Sequence, residues 1–283
     1  MRMDLREIIN EATSRLTASR IENAQVEAEW IVAHVLSKDR SLLYATPPHE
    51  ITPSEHDCID KLVRRRACSE PLQYVLGSIE FLGCQIQVAP DVLIPRPETE
   101  WIVDTTICET RNSPFAILDI GTGSGAISIA FARHWPDTLV VGLDISPEAL
   151  KAADTNCRAN RCDNVRLVRA SLHALPLYQG LFDLIISNPP YVKTSDLESL
   201  TPDVRDYEPH LALDGGLNGT DSYASIASHA HRFLTCAGRL VLELPGTDPS
   251  PIISLFERSE YGCHEVQHDL AGKPRLLCMQ KSA

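Results

Sequence analysis

From residue 4 to about 75 the apolar positions keep helical spacing. Leu5, Ile8, Ile9, Ala12 and Leu16 form one stripe, and Val26, Trp30, Ala33 and Leu36 form another behind Asn23, a residue suited to an N-cap. Thr52-Pro53-Ser54-Glu55 has the form of a capping box with proline at the first helical position, and it opens a helix carrying Ile59, Leu62 and Val63. A small helical bundle over residues 1–75 is therefore predicted, and because roughly 70 residues suffice for an independent core it is expected to be a separate docking module.

Between 76 and 97 the helical period stops. Gly77, Gly83, Pro90, Pro95 and Pro97 punctuate short alternating runs such as Gln85-Ile86-Gln87-Val88, which predicts a strand pair or hinge linker. A helix is expected to begin near Glu98, and over 98–283 strands and helices then alternate. Strands are predicted at 116–120, 139–144, 165–169, 183–187, 239–244, 265–269 and 276–279. Helices are predicted after Gly125, from Pro147 behind the cap Ser146, from about Ser222 to Phe233, and from Pro251 to Glu260. Seven strands in this alternation imply an α/β domain, an open and mostly parallel sheet with helices on both faces, whose ligands sit outside the carboxyl ends of the strands.

Composition narrows the function. The chain has 283 residues, 43% of them hydrophobic, enough for one ordinary core and a small second one. A net charge of -12 argues against a protein that grips a phosphate backbone through broad electrostatics. The nine cysteines form no Cys-x-x-Cys pair, which predicts buried reduced thiols and no metal site. His229 and His231 share no ligand spacing with other residues and read as ordinary helix positions. Arg64-Arg65-Arg66 reads as a solvated face or protein-docking patch. The charged, amphipathic start MRMDLREIINEA, with no run of ~18 apolar residues, points to a soluble cytoplasmic protein and no membrane.

The chemistry begins where Ile117-Leu118-Asp119-Ile120 runs into Gly121-Thr122-Gly123-Ser124-Gly125-Ala126. Glycines let the backbone turn tightly and let a ligand approach main-chain N–H groups. Alone the turn is ambiguous between a nicotinamide enzyme and a methyltransferase, and Asp144, at the end of the next strand, could hold ribose hydroxyls in either. Ser171 and Leu172 are expected beside the adenine. What separates the two is Asn188-Pro189-Pro190-Tyr191 after the fourth strand. Two prolines cannot extend a ladder, so the chain stiffens at the sheet edge where a methyl donor lies. An amide or aromatic NH2 is a poor nucleophile because its lone pair is delocalised. The Asn188 side-chain oxygen and the Pro189 carbonyl can accept its two hydrogens, while the Tyr191 ring packs on the planar group. An amino-methyltransferase is thus predicted. Adenine and guanine amino groups in nucleic acid pose the same geometry and remain an alternative, which the -12 charge disfavours.

The chain resembles the release-factor glutamine methyltransferases, the PrmC or HemK family. The resemblance rests on Glu70-Pro71-Leu72-Gln73-Tyr74, Gly77, Phe81-Leu82-Gly83, Leu93 through Glu100, the Gly121–Gly125 loop, Ser187 through Tyr191, and Tyr207-Glu208-Pro209 followed by Ala212-Leu213. It implies a seven-strand class I methyltransferase domain, Rossmann-like, behind a helical substrate-recognition domain. The implied substrate is the glutamine of the Gly-Gly-Gln loop in class 1 peptide-chain release factors, methylated at N5. The implied cofactor is S-adenosyl-L-methionine, released as S-adenosyl-L-homocysteine. By the same resemblance Gly121, Gly123, Gly125, Asp144 and Leu172 contact the cofactor, with Thr122, Ser124 and Asn188 beside them, and Asn188, Pro189, Pro190 and Tyr191 hold the glutamine. Ser171-Leu172, Asn218-Gly219-Thr220 and Gly246-Thr247-Asp248 depart from the family pattern.

Overall fold

The computed structural model describes residues 3–44, 50–175, 179–257 and 261–282. The chain divides into one unit of Met1–Ser78 with Thr201–Tyr207 and a second of Ile79–Leu200 with Glu208–Ala283.

In the first unit the short antiparallel strands β1 (Met3–Asp4) and β2 (Glu50–Ile51) accompany helices α1 (Leu5–Ala18), α2 (Ala24–Val35), α3 (Pro53–Ala67) and α4 (Leu72–Leu76). The α1 stripe of Leu5, Ile8, Ile9, Ala12 and Leu16 is buried as its spacing predicts, and packs in one cluster with Ile31, Val32, Ile59 and Val63. The capping box of α3 is formed: Thr52 Oγ1 accepts from the Glu55 N–H at 3.3 Å, and the Glu55 carboxylate accepts from the Thr52 N–H at 2.7 Å. The α2 stripe is only partly the expected one: Ala33 is buried and Leu36 packs against the same cluster, as predicted. Ala24, Ala28, Ile31 and Val32 face inward, whereas Val26 and Trp30 are exposed and Asn23 makes no side-chain cap bond. Small residues let this helix approach its neighbours closely, and Trp30 lies outside with the Arg40 guanidinium 5.3 Å from its ring. The arginine run is also not one solvated face. Arg66 is buried against Glu27 at 2.5 Å, Arg65 grips Glu70, and Arg64 pairs with Asp60 at 2.6 Å. The returning segment is tied in by the Tyr207 hydroxyl, which donates to the Cys68 carbonyl at 2.8 Å.

The second unit opens with the hairpin β3 (Ser78–Phe81) and β4 (Cys84–Gln87), whose two-residue turn places Leu82 and Gly83 at positive φ. There follow α5 (Pro97–Glu109), β5 (Ala116–Ile120), α6 (Ala126–His134), β6 (Leu139–Asp144), α7 (Pro147–Ala159), β7 (Val165–Arg169), β8 (Phe182–Ser187), α8 (Asp221–His229), β9 (Leu234–Glu243), α9 (Ser250–Phe256), β10 (Tyr261–His268) and β11 (Pro274–Lys281). The predicted helix from Ser222 gives way at Ala230 to a 3-10 turn, and the expected end of α9 at Glu260 lies outside the described residues. The seven strands are ordered β10-β11-β9-β8-β5-β6-β7. β5 through β9 run parallel and β11 runs antiparallel to both its neighbours.

Alternate strand residues bury in opposite directions, as continuous apolar runs in a two-faced sheet must. Leu118, Val141, Leu143, Ile185 and Leu242 join a cluster with Tyr223, Ile226, Ile252 and Phe256 from α8 and α9. Ile117, Val140, Leu184 and Val241 are buried too, and α5, α6 and α7 pack against the strands. The cysteines are mixed, contrary to expectation: Cys84, Cys157 and Cys162 are buried, but Cys58, Cys68, Cys108 and Cys236 are exposed. Their residue type alone carries no periodicity, and exposure is decided by the place each occupies: Cys58 and Cys108 lie on outer helix faces, Cys68 at a helix end and Cys236 near the start of β9.

Candidate functional site

The strand order reverses between β5 and β8, and a parallel sheet opens a crevice at such a point, at the carboxyl ends of its strands. A cavity of about 350 Å³ lies there, within the ordinary range for a small-molecule site. A wider depression of about 650 Å³, lined by Arg133, Asp137, Arg161, Asp163 and Arg166, opens at the amino ends of β6 and β7. It holds none of the groups with chemistry, so the smaller cavity is the candidate.

β5 carries Asp119 to the edge as a fully buried carboxylate. Its Oδ2 accepts from the Thr122 and Ser128 hydroxyls, each at 2.7 Å, while Oδ1 has no partner. Burial pushes this carboxyl up to about 6, the hydroxyls oppose the shift, and the nearby charge of Asp144 adds to it. The next residues turn through Gly121 and Gly123, both at positive φ, where only glycine sits without strain. A Cβ on Gly121 would meet nothing within 4 Å, so its backbone borders open space. Asp144, half-buried at the end of β6, accepts from the Gly123 N–H and the Ser146 N–H, each at 2.9 Å. Those bonds aim its carboxylate at the glycine turn, and they remove the need to invoke a ligand to explain its partial burial.

Asn188 leaves β8 and lines the cavity with Pro189 and Pro190. Its Nδ2 donates to Thr99 Oγ1 at 3.0 Å, and Ser187 Oγ anchors the strand end on the Ile120 carbonyl at 2.7 Å. Behind the turn, the Val192 N–H donates to the Leu213 carbonyl at 3.0 Å and the Gly215 N–H to the Val192 carbonyl at 2.7 Å. A clamp holds the rim: Glu208, buried, accepts from the Arg96 guanidinium at 2.5 Å and from the Ile94 N–H at 3.1 Å.

Of the residues singled out by sequence, Gly121, Gly123, Asp144, Ser171, Leu172, Asn188, Pro189 and Pro190 line this one cavity. Thr122, Ser124, Gly125 and Tyr191 do not. The Thr122 hydroxyl is committed to Asp119, the Ser124 carbonyl accepts from Asn156 at 2.9 Å, and a Cβ on Gly125 would press on Ala153 at 3.1 Å. Tyr191 packs against the hydrophobic cluster of α8, and burial pushes its phenol up. Sequence reading missed Ile145 and Leu211, exposed apolar side chains that line the cavity beside Leu93 and Ile226. Ile145 directly follows Asp144 and could have been found from that position; Leu211 has no local signal. Thr99 and Glu243 were also missed, although Thr99 lies in the Ile94–Glu100 segment. Among the described residues no group of three or more His, Cys, Asp and Glu is placed to hold a metal, and no helix is long and apolar enough to cross a membrane.

The residues fit a nucleoside-bearing cofactor. An apolar wall, a bare glycine backbone and a half-buried carboxylate share one crevice. Residues 7–77 match the family model described as the PrmC N-terminal domain, and residues 117–207 match a methyltransferase domain. A release factor glutamine methyltransferase of Geobacter sulfurreducens is 41% identical over 259 residues, covering 91% of this chain and 89% of that protein. One of Thermodesulfovibrio yellowstonii is 35% identical over 281 residues, covering 98% and 97%. Among solved structures, a methyltransferase from Pyrococcus furiosus has a TM-score of 0.53 at 22% identity, covering 71% of this chain and 90% of that one. The fold is therefore that of a class I methyltransferase, with a helical N-terminal region.

Proposed function

The chain belongs to the release factor glutamine methyltransferase family and is an S-adenosylmethionine-dependent methyltransferase, and we propose that it methylates the side-chain amide nitrogen of the glutamine in the Gly-Gly-Gln motif of class 1 release factors. When bound, S-adenosylmethionine supplies a methyl group activated by its sulfonium. Gly121 and Gly123 offer main chain to it, Asp144 takes the ribose hydroxyls, and Leu172 with Ile145 flanks the adenine. Asn188 Oδ1 and the Pro189 carbonyl accept the two hydrogens of the target NH2. Because positive charge grows on that nitrogen as it is alkylated, both acceptors strengthen in the transition state and so contribute to rate as well as binding. Pro190 stiffens the turn, and the Tyr191 ring, seated on the core, fixes the direction in which the turn faces. The product amide sheds its extra proton after transfer, so no general base is invoked.

The observation that carries this reading is that Asn188 and Pro189 border the same cavity as Gly121, Gly123 and Asp144. We place the reaction in the cytoplasm, with the release factor as partner and no direct nucleic-acid contact, in keeping with the net charge of -12. The test offers methyl-labelled cofactor with purified release factor and, separately, with DNA and ribosomal RNA. Label is expected in the release factor at glutamine alone; label in nucleic acid would overturn the substrate. Asn188→Ala is expected to lower turnover by about 10²–10³ with little change in cofactor affinity, as for loss of one preorganised polar partner. Full turnover in that variant removes Asn188 from the mechanism.

A further inference from the structure

Behind the cavity three polar side chains stand in file. Thr99 on the first turn of α5 and Glu243 at the end of β9 are 5% and 2% exposed, and neither borders the cavity that Asn188 lines. Asn188 Nδ2 lies 3.0 Å from Thr99 Oγ1, which lies 2.6 Å from Glu243 Oε2. An ionised carboxylate only accepts, so it claims the single hydroxyl hydrogen of Thr99. Thr99 then has lone pairs alone to offer Asn188, which must turn its NH2 toward them. The two ends of an asparagine amide have nearly the same shape, and nothing in the turn itself chooses between them.

We propose that Glu243 and Thr99 are positioning residues that set the polarity of the Asn188 amide, leaving its oxygen, and not its NH2, for the substrate. This inference rests on the proposed reading of Asn188 as an acceptor for the target amide. A reversed amide would set donor against donor, and the target nitrogen would lose the bond that holds it.

The relay also carries a pH dependence. Burial pushes the Glu243 carboxyl up to about 7; the Thr99 hydroxyl, Arg275 and Arg96 oppose the shift and Glu98 reinforces it. Among the described residues Tyr191 and Tyr223 also face it; burial pushes both phenols up, so both stay neutral. Arg275 is shared with Glu98 at 3.2 Å and Asp269 at 3.0 Å, and Arg96 with Glu208, so neither cation is committed to Glu243. Once protonated, Glu243 can donate to Thr99. The freed Thr99 hydrogen then draws the Asn188 oxygen inward. The glutamine substrate has no titration in this range and Asp119 titrates lower, at about 6, so an acid limb of kcat near 7 reports the relay.

The experiment uses the full chain, labelled cofactor and purified release factor. Thr99→Val, nearly isosteric, is expected to lower kcat about 10–100-fold, a fraction of the loss for a direct polar partner, with KM and cofactor Kd nearly unchanged. Thr99→Ser should restore kcat, and Thr99→Val combined with Asn188→Ala should be no worse than Asn188→Ala alone. Glu243→Gln can present either amide end to Thr99, so it should lower kcat by a factor independent of pH, and the acid limb should vanish. By NMR, the Asn188 side-chain NH2 should exchange slowly with solvent in the parent and fast in Thr99→Val. Full kcat in Thr99→Val, or an acid limb that persists in Glu243→Gln, overturns the relay alone if Asn188→Ala is crippled. Full kcat in Asn188→Ala overturns the reading of Asn188 and the relay together.

Discussion

Two carboxylates one strand apart are given different work by their surroundings. Asp119 is sealed among hydroxyls and keeps one oxygen unpartnered, whereas Asp144 is half-buried, fixed by two N–H donors and open to the cavity. Each N–H fills one lone pair of an Asp144 oxygen, leaving others for vicinal hydroxyls. Asp144→Ala is therefore expected to weaken cofactor binding about 10–100-fold, the loss of charged hydrogen bonds. Calorimetric titration with S-adenosylmethionine checks it, and an unchanged Kd would remove the ribose assignment. Asp119 and Asp144 were both legible in the sequence as strand-end acids. Their division of labour was not, because it depends on Ser128, nine residues beyond Asp119 on the first turn of α6, and on the backbone of Gly123.

At the level of elements, the turn after β8 is held by a loop more than 20 residues away. A Cβ on Gly215 would lie 2.8 Å from the Pro190 carbonyl oxygen, 2.8 Å from Tyr191 Cα and 2.9 Å from Gly219 Cα. All three are backbone atoms and cannot swing aside. Gly215→Ala is expected to cost about 1–3 kcal/mol through overpacking and to lower kcat by displacing the turn. A melting temperature and kcat both equal to the parent's would show that the loop does not brace it. The same scale explains why Val26 and Trp30 of the expected α2 stripe lie outside while Ala33 is buried. Helical spacing marks two stripes on that helix, and a small-residue stripe wins only because close helix approach favours it. The strands fared better, since β5, β6 and β7 are apolar enough to be read in a window of five or six residues.

Across the whole molecule, the buried acids couple stability to pH. Glu243 is pushed up to about 7 and Asp119 to about 6, each mainly by burial. A carboxyl raised in the folded chain contributes stability that is fully present below its ordinary range and is lost as pH rises through the folded value. For Glu243 this is worth roughly 3 kcal/mol between its ordinary range and pH 7. The melting temperature of the cofactor-free chain is expected to fall between pH 5 and pH 7.5, and Glu243→Gln to flatten that fall. An identical slope in the variant would show that Glu243 is ionised throughout. How far the molecule could be read from its residues follows from range. Strand and helix alternation, the glycine turn, the acid at each strand end and the stiff Asn188–Tyr191 turn are local patterns, set by backbone sterics and by hydrophobic period within a few residues, and the amino acids alone determined them. Tertiary structure alone decided that Thr99 and Glu243, 144 residues apart, meet behind Asn188, and that Ile145 and Leu211 wall one cavity. Contacts of that kind arise when the sheet brings strand ends side by side, and no local propensity encodes which distant partner a strand end will face.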